Sequence, residues 1–118
     1  MESTPQKVSE FLKESAKQIA QEPGSGLTTL YMLRLGDDSL YTGITINVDH
    51  RIREHESGRG SKYVRSRLPI VECRIVFQNL QRTTALSLEH HLKQLSKAHK
   101  EHIFEKHTAK HREVDFSA

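Results

Sequence analysis

Two tyrosines, an arginine and a histidine are the side chains of this sequence best suited to phosphate chemistry: Tyr31, Tyr41, Arg51 and His55. Hydrolysis of a phosphodiester needs a water held in line or deprotonated, neutralisation of the charge building on the phosphoryl oxygens, and a stabilised leaving oxygen. The planar fork of arginine matches phosphate oxygens. A lone carboxylate can hold one divalent ion, which serves the leaving group as a Lewis acid. Tyrosines and a histidine can order the water and relay its proton. An unperturbed phenol titrates near 10, so it needs such help at neutral pH.

The spacing asks for a particular frame. Residues 27–35 are largely apolar on both faces, as a buried central strand is, and Gly36-Asp37-Asp38-Ser39 supplies turn chemistry before a second strand over 40–46. That hairpin puts Tyr31 and Tyr41 near corresponding places on two strands. Gly43 weakens the second strand unless something must approach its backbone closely. Asn47 as N-cap, Asp49 at the positive end of the dipole and Gly58 as a stop define a helix over 48–57. Arg51 and His55 stand at i, i+4 on it and point the same way. Val48 and Ile52 mark its buried face; His55 falls about 20° and Arg51 about 60° outside Val48, so both flank the core.

The remaining elements read as support. A short helical turn over 61–67 precedes a third strand over 70–78, where Val71, Cys73, Ile75 and Phe77 alternate with Glu72 and Arg74. Helix 84–95 carries Ala85, Leu88, Leu92 and Leu95 on one face with Glu89 at its border, and a polar helix follows over 97–107. Residues 4–21 read as an amphipathic helix with Thr4 as its cap and Pro5 at its first position, and a Pro/Gly linker ends at residue 26. That helix suits packing on the domain, on a second copy or on a protein partner. The division is therefore 1–26 as helix and linker, 27–108 as the domain and 109–118 as a flexible tail.

Composition narrows the class. At 118 residues, with 35% hydrophobic and 28% charged, the chain supports one modest core. No apolar run reaches the roughly 20 residues of a membrane span, and no secretory h-region opens the chain. The single cysteine, Cys73, suits a reducing compartment, so cytoplasmic residence is expected, or nuclear in a eukaryote. The net charge is only +3, yet residues 59–67 hold Arg59, Lys62, Arg65 and Arg67 without an acid among them. With Tyr63 embedded, this stretch can track a nucleic-acid backbone and stack one base; a solvated basic face is the alternative.

Thr29-Leu30-Tyr31, Tyr41-Thr42-Gly43, the Arg51 and His55 helix and Glu89 on the later helix together resemble the GIY-YIG nuclease family. The likeness runs from about residue 27 to 104 and most resembles the short, stand-alone bacterial-type branch. It implies an α/β domain of the α+β kind, a three-stranded antiparallel sheet flanked by helices, with the N-terminal helix added. It also implies cleavage of DNA with one Mg²⁺ or Mn²⁺. In that scheme Tyr31 or Tyr41 acts on the water, His55 assists a tyrosine, Arg51 holds the scissile phosphate and Glu89 ligates the metal. This chain departs from the pattern in lacking the glycine and isoleucine of the first motif. It has Thr45 where some members have a lysine, and no asparagine after Glu89.

Two rival readings stand beside this one: a nucleic-acid-binding module that keeps the fold without cleaving, and a nuclease subunit that needs a partner. A compact chain suits recognition by shape, in single strands, flaps, branches or nicks, and repair or recombination suits such an enzyme. Phosphate contacts do not separate DNA from RNA. His99, His102, His107 and His111 could place pairs of imidazoles on a helix for zinc, but no cysteine accompanies them, and solvated basic surface is the better reading.

Overall fold

The computed structural model describes residues 27–113; the helix expected over 4–21 lies outside them. Strand β1 (Thr28–Leu35) is the central element, paired antiparallel on one side with β2 (Leu40–Thr45) and on the other with β3 (Ile70–Leu80). Its alternation divides the core in two. Leu30 and Met32 face α3 (Arg82–Lys93), which buries Ala85, Leu88 and Leu92, and α4 (Lys97–Lys106), which buries Ile103 and Phe104. Tyr31, Leu33 and Leu35 face the other way, onto Ile52 of α1 (Val48–Glu56) and Val64 of α2 (Lys62–Arg65). Each fully buried aliphatic side chain contributes about 1.5–3 kcal/mol of transfer free energy. Burial on both faces of β1 thus fixes its register, because a slip of one residue would exchange the two sets.

Local chemistry sets the ends of the elements. In the β1–β2 turn the Asp37 carboxylate accepts from the Ser39 N–H at 3.0 Å, and Asp38 takes φ +71°, a conformation aspartate tolerates. The side chain of Asn47 accepts from the His50 N–H at 3.0 Å and starts α1. Gly58, at φ +80°, follows its end. Ser61 and Ser96 cap α2 and α4 in the same way through the N–H groups of Val64 and His99. Helix α4 is tied down by charge as well as by its apolar residues. Arg34 of β1 donates to both carboxylate oxygens of Glu101 at 2.5 and 2.6 Å, and the guanidinium groups of Arg34 and Arg74 lie 4.7 and 4.3 Å from the centre of the Phe104 ring.

The fold is the expected α+β sheet flanked by helices, with one correction: the sheet has four strands, in the order β2-β1-β3-β4. The fourth, β4 (Ala109–Glu113), occupies part of the expected flexible tail and pairs antiparallel with β3. It has no apolar alternation to announce it. What holds it is the backbone ladder that satisfies the otherwise open edge of β3. Boundaries also move: β3 runs to Leu80, and α3 begins at Arg82 and ends at Lys93. No helix among the described residues is long and apolar enough to cross a membrane.

Candidate active site

Tyr31, Tyr41 and His55 converge on the face covered by α1. Tyr41 stands opposite Leu33 in the β1–β2 ladder and so shares a face with Tyr31, whose own partner is Gly43. A Cβ at Gly43 would come 2.5 Å from the Tyr31 phenolic oxygen, so glycine there is what lets the ring lie across β2. Ring centroids are 6.4 Å apart for Tyr31 and Tyr41, 6.3 Å for Tyr31 and His55, and 5.4 Å for Tyr41 and His55. Tyr31 is 1% exposed and His55 0%, whereas Tyr41 is half-buried.

The hydrogen bonds around His55 settle its tautomer. The Ser61 backbone N–H, which can only donate, reaches Nδ1 at 3.3 Å, so Nδ1 is the bare nitrogen. Nε2 therefore carries the hydrogen and donates to the Tyr31 oxygen at 2.9 Å. Tyr31 is left to donate its own hydroxyl hydrogen elsewhere. Gly60 makes this arrangement possible: a Cβ at that position would collide with His55 Nδ1.

Burial first, and then the neighbouring Tyr41, hold the Tyr31 hydroxyl above the usual phenol range, against the pull of the Arg51 charge. Burial, reinforced by Arg51, pushes the His55 imidazole down to about 4, with Glu54 opposing. At neutral pH the centre thus consists of a neutral phenol, a neutral imidazole and one permanent cation. Arg51, half-buried one turn before His55, is held by Glu54 at 3.5 Å. It is the group there able to meet a phosphate with a fork of donors.

Glu89 stands on α3, the helix that covers the opposite face of the sheet. Helix α3 packs on the Leu30–Met32 face and contacts β2, the edge strand. The Glu89 carboxylate, 18% exposed, pairs with Lys93 at 3.4 Å, and the Lys93 Nζ lies 5.8 Å from the centre of the Tyr41 ring. Lys93 thus stands between Glu89 and the Tyr41 ring. Among the described residues no group of three or more His, Cys, Asp or Glu side chains is placed to hold an ion. A single carboxylate beside an open edge fits a hard cation that keeps most of its water and takes further oxygens from a phosphate, as Mg²⁺ does. Glu89 is the residue here that would hold it.

The basic stretch divides on folding. Tyr63 is 40% exposed and extends the row of phenols, its ring centroid 6.1 Å from that of Tyr41 at an interplanar angle of 29°. Arg67 is turned inward, its guanidinium carbon 3.7 Å from the Tyr63 ring centre and its Nε 3.1 Å from Asp37. Arg59, Lys62 and Arg65 remain exposed. Of the imidazole pairs weighed for zinc, His99 and His102 share α4, which ends at Lys106, while His111 lies on β4 with its Nε2 2.9 Å from Asp49. The sequence reading misses Gly60, Ser61 and Lys93. A backbone donor leaves no mark in residue type, but a glycine five residues after a site histidine is a signal of close approach.

Fold and cluster together define a small α+β domain that gathers phenol, imidazole and guanidinium groups beside an open sheet edge. The chain belongs to the GIY-YIG family of nucleases, whose GIY-YIG catalytic domain matches residues 28–106. It is 42% identical over 74 residues to a UPF0213 protein of Natronomonas pharaonis, a match covering 63% of this chain and 86% of the relative. A UPF0213 protein of Serratia liquefaciens is 45% identical over 76 residues, covering 63% and 72%. One from Bacillus cereus is 41% identical over 76 residues, covering 64% and 78%. No solved structure matches the chain at a significant level.

Proposed function

We propose that this protein is a DNA endonuclease that hydrolyses phosphodiester bonds with one Mg²⁺ or Mn²⁺ held at Glu89. The observation that carries the reading is the 2.9 Å pair of Tyr31 and His55, flanked by Tyr41 and Arg51. Arg51 receives the scissile phosphate and neutralises the charge that grows on its oxygens. Tyr41, the phenol within reach of solvent, positions the attacking water. Tyr31, accepting from His55, directs its hydroxyl hydrogen toward the same centre, and His55 acts as a neutral positioning group. When bound, the divalent ion supplies Lewis-acid stabilisation of the leaving oxygen. Arg59, Lys62 and Arg65 support the flanking backbone, with Arg67 fixing the Tyr63 ring.

Single-stranded or structured DNA, meaning branched, flapped or nicked, is the substrate that suits a compact domain, and repair or recombination is the corresponding role. The test is cleavage of single-stranded, duplex and branched DNA with Mg²⁺, with Mn²⁺ and with a chelator. Cutting that depends on the metal supports the reading and ranks the substrates. Binding without cutting on every substrate and with both metals overturns it in favour of a non-cleaving module.

A further inference from the structure

Beside the phenols, a cleft of about 310 Å³ opens between Tyr41, Thr42, Tyr63 and Lys93, with Lys100 at its far wall. A second hollow of about 170 Å³ continues it past Leu40 and Tyr63 to Lys97 and Lys100. The lining carries three lysines, from the end of α3 and from α4, and no carboxylate. The Tyr63 ring, backed on one side by Arg67, forms part of the wall. None of these lysines was marked by the sequence stretch that looks most like a nucleic-acid contact.

We propose that this groove seats an unpaired segment of DNA, one base lying against Tyr63 and the flanking phosphates running along Lys93, Lys97 and Lys100. The proposal rests on the nuclease reading above, since the groove shares Tyr41 with the candidate active site. Its charge matches a phosphate-bearing occupant. Its volume is at the low end of ligand-sized clefts, roughly 300–1,000 Å³, which suits one base and its sugar. Aromatic faces joined to a cationic track are how single strands are held without sequence preference.

The test is binding of labelled oligothymidylate and of a blunt duplex, measured by fluorescence anisotropy in chelator so that nothing is cut. The Lys97→Gln/Lys100→Gln variant should lose about tenfold or more on the single strand. It should change on the duplex by less than about twofold. Its salt dependence on the single strand should become shallower by about 1.4 in log–log slope, two phosphate contacts at roughly 0.7 each. Tyr63→Ala should weaken the single strand by a further several-fold while Tyr63→Phe does not. An unchanged salt slope, or equal losses on both DNA forms, overturns the proposal; the slope counts contacts and does not depend on a small change in fold stability. Cutting by the wild type with an unchanged slope in the variant would remove the groove and leave the nuclease. The expected binding pattern without any cutting would do the reverse.

Discussion

His55 Nε2 lies 2.9 Å from the Tyr31 hydroxyl in a pocket where neither residue is more than 1% exposed. No water competes for that bond, so it both orients the phenol and depends on the groups that orient the imidazole. Two glycines bound the pair, Gly43 beneath Tyr31 and Gly60 against His55.

The first consequence concerns those glycines. Gly60→Ala should push His55 off the Ser61 N–H and misdirect Tyr31, and Gly43→Ala should displace the phenol itself. Each should lower kcat about 10–100-fold, as a misplacement near 1 Å does, with DNA affinity nearly unchanged. Single-turnover cleavage beside anisotropy binding separates the two effects.

Titration of His55 gives a stability window. The unfolded chain takes a proton on His55 near 6.5, while the folded chain refuses it until about 4. The unfolded state thus binds more protons between those values, so stability is complete above pH 6.5 and falls as the pH drops toward 4. The loss should be on the order of 2–3 kcal/mol. Urea unfolding across that range should show it, and His55→Gln should flatten the profile.

The two site tyrosines should behave differently when their hydroxyls are removed. Tyr31→Phe leaves the buried His55 Nε2–H without an acceptor and should destabilise the protein by about 1–3 kcal/mol as well as slow cleavage. Tyr41→Phe, at a half-exposed position, should alter stability by no more than about 0.5 kcal/mol while still lowering turnover. Urea midpoints and cleavage rates on the same samples distinguish them.

How far the sequence reveals this site depends on what holds each part. Tyr31, Tyr41, Arg51 and His55 were legible because strand and helix periods place them, and Gly43 was legible because a glycine inside a strand calls for a close neighbour. The elements that bury apolar stripes, β1, α1 and α3, follow for the same reason. Strand β4 was not legible, since Ala109–Glu113 is held by backbone pairing and its residue types are polar. The Ser61 N–H and the inward turn of Arg67 were hidden likewise, because each depends on a loop path that no periodicity encodes. Lys93, Lys97 and Lys100 fall at i, i+4 and i+7, but the break at Ser96 divides them between two helices and obscures the shared groove.

Helix α4 offers a control away from the chemistry. The Arg34 hydrogen bonds hold the Glu101 carboxyl below its ordinary range, so this contribution is present above about pH 4.5 and is lost as the pH falls through the lowered value. Glu101→Gln should cost about 1–2 kcal/mol at neutral pH, within the range for charge-assisted bonds at a partly exposed site. The cleavage rate per folded molecule should stay the same, which thermal melts and an activity assay below the melting range would register.

The most direct test of the central claim is metal-dependent cleavage by the wild type beside Glu89→Ala and Arg51→Ala, with binding to the same DNA measured in parallel. The wild type should cut, and each variant should lose about a hundredfold or more while still folded and still binding DNA. Cleavage that survives in folded Glu89→Ala or Arg51→Ala at the wild-type rate would contradict it, since the chemistry would then lie elsewhere.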